Sequence, residues 1–266
     1  MPLSIDLYVP GDSWLYRVDP RAKLVWLACG FALPLLVNHP AWMLLIVATT
    51  LLIAWSGGLP LRRIVGMLSV NAFLFVSSVL IWPLYLQSGD VVFELFGVDY
   101  TTVGLAYGTA VGLRVAAMMN LSVVWIMSSD PGRTILGLEM LGLHYKAAAA
   151  MSITLRFLPA IAAEGATIVE AQRSRALELD RGSPFTRARR YAPIVIPLVT
   201  RSFLIAQQLG TALDARGFGL SKNRTHAIAL QFRGADWAFV AVWVLALVFG
   251  IFLRVSGYGL VVPHLI

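Results

Sequence analysis

Residues 64–86 read IVGMLSVNAFLFVSSVLIWPLYL, twenty-three positions without an acidic or basic side chain. A run of that length crosses the roughly 30 Å hydrocarbon core of a bilayer as one helix. Pro83, in its last turn, is tolerated there because neighbouring groups satisfy the carbonyl that it frees. Working outward, residues 102–127, TVGLAYGTAVGLRVAAMMNLSVVWIM, form a second clear span, and Ala235 to Leu253 is the last span, with Trp237 as an interface anchor. Toward the N-terminus, Leu24 to Val37 and Ala41 to Trp55 are shorter runs split by Asn38-His39-Pro40. Two tight spans or one re-entrant hairpin would fit them, and two spans are preferred. The composition agrees: 58% hydrophobic and 13% charged residues, a mean hydropathy of +0.76 and a single cysteine, Cys29. Soluble domains carry about 25% charged residues. Disordered and disulfide-scaffold classes are therefore excluded. Met1 to Trp14, with Asp6 and Asp12, lacks the pattern of a cleavable signal peptide.

The expected fold is an all-α integral membrane protein with about five transmembrane helices and long cytoplasmic or interfacial helices between spans four and five. Residues 1–127 form an N-terminal membrane region with four spans, 128–234 a cytoplasmic helical region, and 235–266 a last span with an outside tail. Charge sets the orientation. Arg17, Arg21 and Lys23 precede span one, and Arg62 and Arg63 lie between spans two and three. The loop between three and four is acidic, with Asp90, Glu94 and Asp99. Residues 128–234 hold fourteen Lys and Arg against seven Asp and Glu, which accounts for the whole net charge of +7. The N-terminus is thus expected in the cytoplasm and the C-terminus outside, in a bacterial inner membrane. The basic excess is local, which argues for lipid and protein contacts rather than nucleic acid.

Signatures of chemistry are missing. The lysines are Lys23, Lys146 and Lys222, and none stands in a phosphate-binding G-x-x-x-x-G-K-[ST] loop. The four histidines have no metal spacing, there is no G-x-S-x-G elbow, and the two clear spans, 64–86 and 102–127, carry no Asp or Glu for an ion relay. No metal site and no cofactor are expected in this chain.

Two arginine triplets stand out: Ser174-Arg175-Ala176 and Ala215-Arg216-Gly217. Each lies where a helix should end. Leu158-Pro159 is expected to open or kink the first helix, with Asp180 to Pro184 stopping it, and Arg187 to Ala215 to form the second. Small flanks let a partner backbone come close, and a guanidinium fork can grip a carboxylate or carbonyls. A terminal arginine can also simply cap its own helix, but two matching tips favour two similar pockets. In span four, Gly104, Gly108 and Gly112 share one face, suited to helix packing or to contact with another membrane subunit. Arg114 lies off that face and is expected to bond carbonyls or a cytoplasmic acid, since an unpaired charge in a span is costly. Ser129-Asp130-Pro131 should start a short helix, Arg133 to Leu143. Arg187, Arg189 and Arg190 read as a face toward lipid headgroups or solvent.

These features resemble the transmembrane T component of energy-coupling factor (ECF) transporters, the EcfT/CbiQ family. Residues 15–24, LYRVDPRAKL, look like the family's opening motif, and Leu155-Arg156-Phe157-Leu158-Pro159 looks like a second one. Arg114 followed by Ser128-Ser129-Asp130-Pro131 is similar to its fourth span and exit. The triplets resemble its paired Ala-Arg-Gly coupling motifs, with Ser174 and Ala176 departing from that pattern. The resemblance implies a non-catalytic coupling subunit of an ABC-type importer. Two ATPase subunits bind the ATP, and their motion passes through this chain to a membrane-embedded subunit that captures a vitamin or metal ion. An integral-membrane enzyme acting on lipid head groups is the alternative from another functional class.

Overall fold

In the computed structural model the described residues are 11, 13–95, 98–175, 177, 191–219 and 230–258. They form nine helices and one hairpin. The helices are α1 (Trp14–Arg17), α2 (Pro20–Leu36), α3 (Pro40–Ser56), α4 (Leu61–Tyr85), α5 (Thr102–Ser128), α6 (Pro131–Met140), α7 (Tyr145–Ser174), α8 (Ala192–Ala215) and α9 (Gly234–Val255). The hairpin pairs β1 (Val91–Leu95) with β2 (Val98–Thr101), antiparallel, between α4 and α5. The chain divides into two compact units: Met1–Leu141 with Leu230–Ile266, and Gly142–Ala229.

The first unit is built around α5. Helices α2, α3 and α4 pack on it, and α9 packs on α2. Its core includes Leu15, Trp26, Met43, Ala116, Ala117, Leu121, Val124 and Trp243. Asn38-His39-Pro40 does break the first apolar stretch: α2 ends at Leu36, and Pro40 opens α3 with the His39 ring accepting from the Ala41 N–H. Both helices bury their inner faces against α5. The short helix after α5 starts two residues earlier than expected, because Pro131 occupies its first position and Asp130 accepts from the Gly132 N–H at 3.0 Å. It ends at Met140, ahead of Gly142 at φ +116°. The β hairpin is not among the sequence expectations. Acidic residues dominate the reading of that loop, whereas Val91, Val92, Phe93 and Tyr100 give it strand-forming side chains.

The second unit is an antiparallel helical pair. Contacts along its length fix that arrangement: Tyr145 meets Phe218, Glu164 meets Arg201, and Gln172 Nε2 donates to the Pro193 carbonyl at 3.2 Å. Two sequence expectations change here. Helix α7 begins at Tyr145, not near Pro159; the alanine-rich stretch 147–150 favours helix, and Pro159 sits within it. Helix α8 begins at Ala192, so Arg187, Arg189 and Arg190, like Asp180 to Pro184, lie outside the described residues.

Among the described residues, five helices are long and apolar enough to cross a membrane: α4, α5, α7, α8 and α9. The number matches the expectation, but the membership differs. Helices α2 and α3 have 17 residues each, while α7 and α8, expected from sequence to lie outside the bilayer, also qualify by length and composition. None of the most apolar stretch of α7, and 6% of that of α8, is buried by the chain itself. Those faces need lipid or another polypeptide.

Candidate coupling site

Both arginine triplets end their helices through the same backbone geometry. Arg175 caps α7 and Arg216 caps α8. Two residues past each arginine, an N–H returns to the carbonyl three residues before it: Leu177 to Gln172 at 3.1 Å, and Phe218 to Leu213 at 2.9 Å. This is the six-to-one bond of a Schellman ending. At α8 the companion bond, Gly217 N–H to Asp214 carbonyl, is 2.9 Å, and Gly217 takes φ +68°. Backbone N–H groups therefore satisfy the terminal carbonyls. The arginine side chains are exposed and make no hydrogen bond or ion pair among the described residues. Self-capping by the guanidinium is not what the structure contains.

The flanks differ between the two tips. Ser174 Oγ donates to the Glu170 carbonyl at 3.0 Å, so its hydroxyl folds back onto the helix. Ala215 is exposed and Gly217 half-buried, while Ala176 lies outside the described residues. The antiparallel pairing puts the tips at opposite ends of the unit. Gln172 lies beside Pro193, and the 23 residues from Pro193 to Arg216 climb away from it. At 1.5 Å per residue the two arginines are about 40 Å apart. Sequence spacing suggests a matched pair; only the pairing of the helices separates them this widely.

Gly104, Gly108 and Gly112 are buried against α4. A Cβ at Gly104 would sit 2.6 Å from the Leu86 carbonyl oxygen, one at Gly108 3.0 Å from that of Ser78, and one at Gly112 3.1 Å from Phe75 Cα. Ser78 Oγ donates to the Gly108 carbonyl at 2.8 Å, a bond that this close approach permits. The stripe is a helix-packing face in this chain. Arg114 points elsewhere, to the Val37 carbonyl at 3.3 Å and to Asn38 Oδ1, at the break between α2 and α3. A carbonyl partner is what the sequence leads one to expect, although not its place.

A buried polar corner escapes the sequence reading. Lys23, just before the apolar run at Leu24, is 3% exposed, and its Nζ donates to the Ser128 carbonyl at 2.6 Å. Burial, and then the Arg133 charge, lower its pKa from 10.5 to about 8, against a smaller opposing effect of Asp130. Asp236, also 3% exposed, accepts from the Asp19 N–H at 2.9 Å and from the Arg233 N–H at 2.8 Å. The available signal is an acid at the second position of the last apolar run, beside Trp237. Among the described residues no group of three or more His, Cys, Asp or Glu could hold a metal. An apolar cavity of about 540 Å³, lined by Leu33, Trp42, Ile46, Trp243 and Phe249 among others, opens between α2, α3 and α9.

The structure is that of a multi-helix membrane chain whose antiparallel helical pair ends in two exposed arginine tips. Residues 11–227 match the family model CbiQ, described as "Cobalt transport protein". The chain is also similar to "Energy-coupling factor transporter transmembrane protein EcfT" of Brevibacillus brevis, 30% identical over 258 residues, covering 93% of this chain and 97% of that one. The protein of the same description from Bacillus selenitireducens is 30% identical over 256 residues (91% and 94%), and that of Listeria innocua 29% over 237 (86% and 89%). The chain belongs to this family of ECF transporter transmembrane components.

Proposed function

We propose that this chain couples two ATP-hydrolysing subunits to a membrane-embedded substrate-binding subunit, in the import of a vitamin or metal ion. ATP is bound by the partners, and the chain supplies no cofactor site. Arg175 and Arg216, with Ser174, Ala176, Ala215 and Gly217, are the docking tips. One observation carries the reading: two exposed arginines, unpaired among the described residues, end their helices alike about 40 Å apart at opposite ends of one antiparallel pair. One small protein surface could not meet both, whereas two copies of a similar ATPase could each take one. Closing that pair of ATPases would push the tips together and change how the two helices lie. The uncovered apolar faces of α7 and α8 would pass that change to the substrate-binding subunit.

The orientation belongs to the same proposal: N-terminus and residues 128–234 on the cytoplasmic side of a bacterial inner membrane, C-terminus outside. An enzyme acting on lipid head groups is not favoured, since the relatives are transporter components.

The test replaces Arg175, Arg216 or both with Ala in the tagged chain and measures ATPase co-purification and uptake. Membrane insertion should be unaffected. Each substitution should weaken docking by about 2–5 kcal/mol, as for the loss of one partner of a buried charged pair. Normal ATPase recovery and uptake in the double variant would refute the assignment.

A further inference from the structure

The chain passes between its two units twice, after Leu141 and before Leu230. Both crossings lie within a few residues of one corner of the first unit, the start of α2. On the outgoing side, α6 lies so close that a Cβ on Gly137 would be 3.0 Å from Pro20 Cβ and 3.5 Å from the Arg21 nitrogen. The Arg21 guanidinium also reaches Met140 Sδ, in the last turn of α6. Lys23, two residues further on, holds the Ser128 carbonyl that ends α5. On the returning side, Asp236 bridges the two helix starts: Oδ1 takes the Asp19 N–H of α2, and Oδ2 takes the Arg233 N–H of α9. Asp19 itself caps α2 by accepting from the Arg21 N–H at 2.9 Å. Both carboxylates are buried. Each carboxylate oxygen of Asp236 thus serves a different segment, which a neutral or shorter side chain would not reproduce.

We infer that Asp236 is a positioning residue for coupling: through Asp19 it pins the returning crossing to the same corner, Pro20–Lys23, that holds the outgoing one. Within the first unit, the two segments that flank the crossings are then held by one corner rather than by two separate connections. This rests on the coupling function proposed above. Gly142, immediately past α6, takes φ +116°, a conformation that glycine adopts without steric cost.

The experiment uses Asp236→Asn in the full-length chain, first alone in detergent and then in the complex with its co-purifying ATPases in liposomes. Asparagine keeps the shape and one acceptor oxygen but leaves one N–H without its charged partner. In the chain alone, amide exchange at Asp19 and Arg233 should rise roughly tenfold. In the complex, ATPase recovery should persist while substrate imported per ATP hydrolysed falls by a similar factor. Unchanged exchange overturns the inference. So does a wild-type ratio of import to hydrolysis, even if total import drops, because a merely structural defect lowers both together. If Asp236→Asn does not insert, Asp236→Glu, which keeps the charge but shifts both acceptor oxygens by one methylene, takes its place, and the same ratio decides. Intact ATPase recovery in the double Arg175→Ala, Arg216→Ala variant would sink the coupling assignment, while the exchange measurement would still test the corner by itself.

Discussion

The contact between α4 and α5 gives the sharpest test of the packing, because glycines on the same helix pair differ in what surrounds them. Gly104→Ala places a methyl 2.6 Å from the Leu86 carbonyl oxygen and 3.1 Å from Pro83 Cα. Both are backbone atoms, so no rotamer change relieves them. Restoring ordinary contact at about 3.5 Å requires the helices to part by roughly 1 Å. That movement would also stretch the bond from Thr101 Oγ1 to the Leu86 carbonyl. Overpacking of this kind costs about 1–3 kcal/mol, and a weakened hydrogen bond adds about 1 kcal/mol. Gly104→Ala should therefore destabilise the chain by about 2–4 kcal/mol. Gly108→Ala and Gly112→Ala, with nearest atoms at 3.0–3.1 Å, should cost about 1–2 kcal/mol. Gly66 on α4 is the internal control, with nothing within 4 Å of a Cβ. Gly66→Ala should be neutral or stabilising by up to about 1 kcal/mol. The assay is the midpoint of unfolding in mixed micelles as the denaturing detergent fraction is raised. If Gly104→Ala and Gly66→Ala unfold together, the stripe is not a packing face, and a docking role for a partner regains its ground.

Three further outcomes follow from two polar groups and from the turn after Arg216. A double-mutant cycle between Arg114→Ala and Asn38→Ala should give a coupling of about 1.5–3 kcal/mol, the value of a hydrogen bond to a charged donor; additive effects would show that the two side chains do not interact. Lys23 has a folded-state pKa of about 8 against 10.5 when unfolded, so between those values the unfolded chain binds more protons. Stability should rise with pH across that window, and Lys23→Met should flatten the rise in a series of unfolding midpoints. Gly217, at φ +68°, supplies the left-handed turn after Arg216. Gly217→Val should cost about 1–2 kcal/mol and weaken ATPase recovery more than Gly217→Asn, since asparagine tolerates that conformation; equal recovery would remove the turn from the docking geometry.

Much of the architecture is legible from periodicity and breakers. Residues 64–86 and 102–127 have to be spanning helices, because no other single-segment structure satisfies their backbone in lipid. Pro40 and Pro131 announce helix starts because a missing N–H costs nothing at that position. The arginine triplets are visible because small-Arg-small at a helix end is a local pattern. The boundaries of α7 and α8 are less so. Pro159 reads as a start or a kink, yet it is tolerated deep within a 30-residue helix whose alanines favour continuation. Setting α7 and α8 outside the bilayer rests on charge density, to which length and overall apolarity supply a counterweight.

The sequence alone determined that this is a membrane chain with a basic segment, two arginine tips and no nucleotide loop, since each of these is a property of composition or of neighbouring residues. Only the tertiary structure decided what the tips, glycines and buried charges face. Antiparallel pairing carries Arg175 and Arg216 to opposite ends. The close approach of α4 turns the glycine stripe inward. Asp236 meets Asp19 across 217 positions of chain. Partners that far apart leave no local trace, because the free energy that fixes them is released only when the helices close on one another and exclude lipid and water from between them.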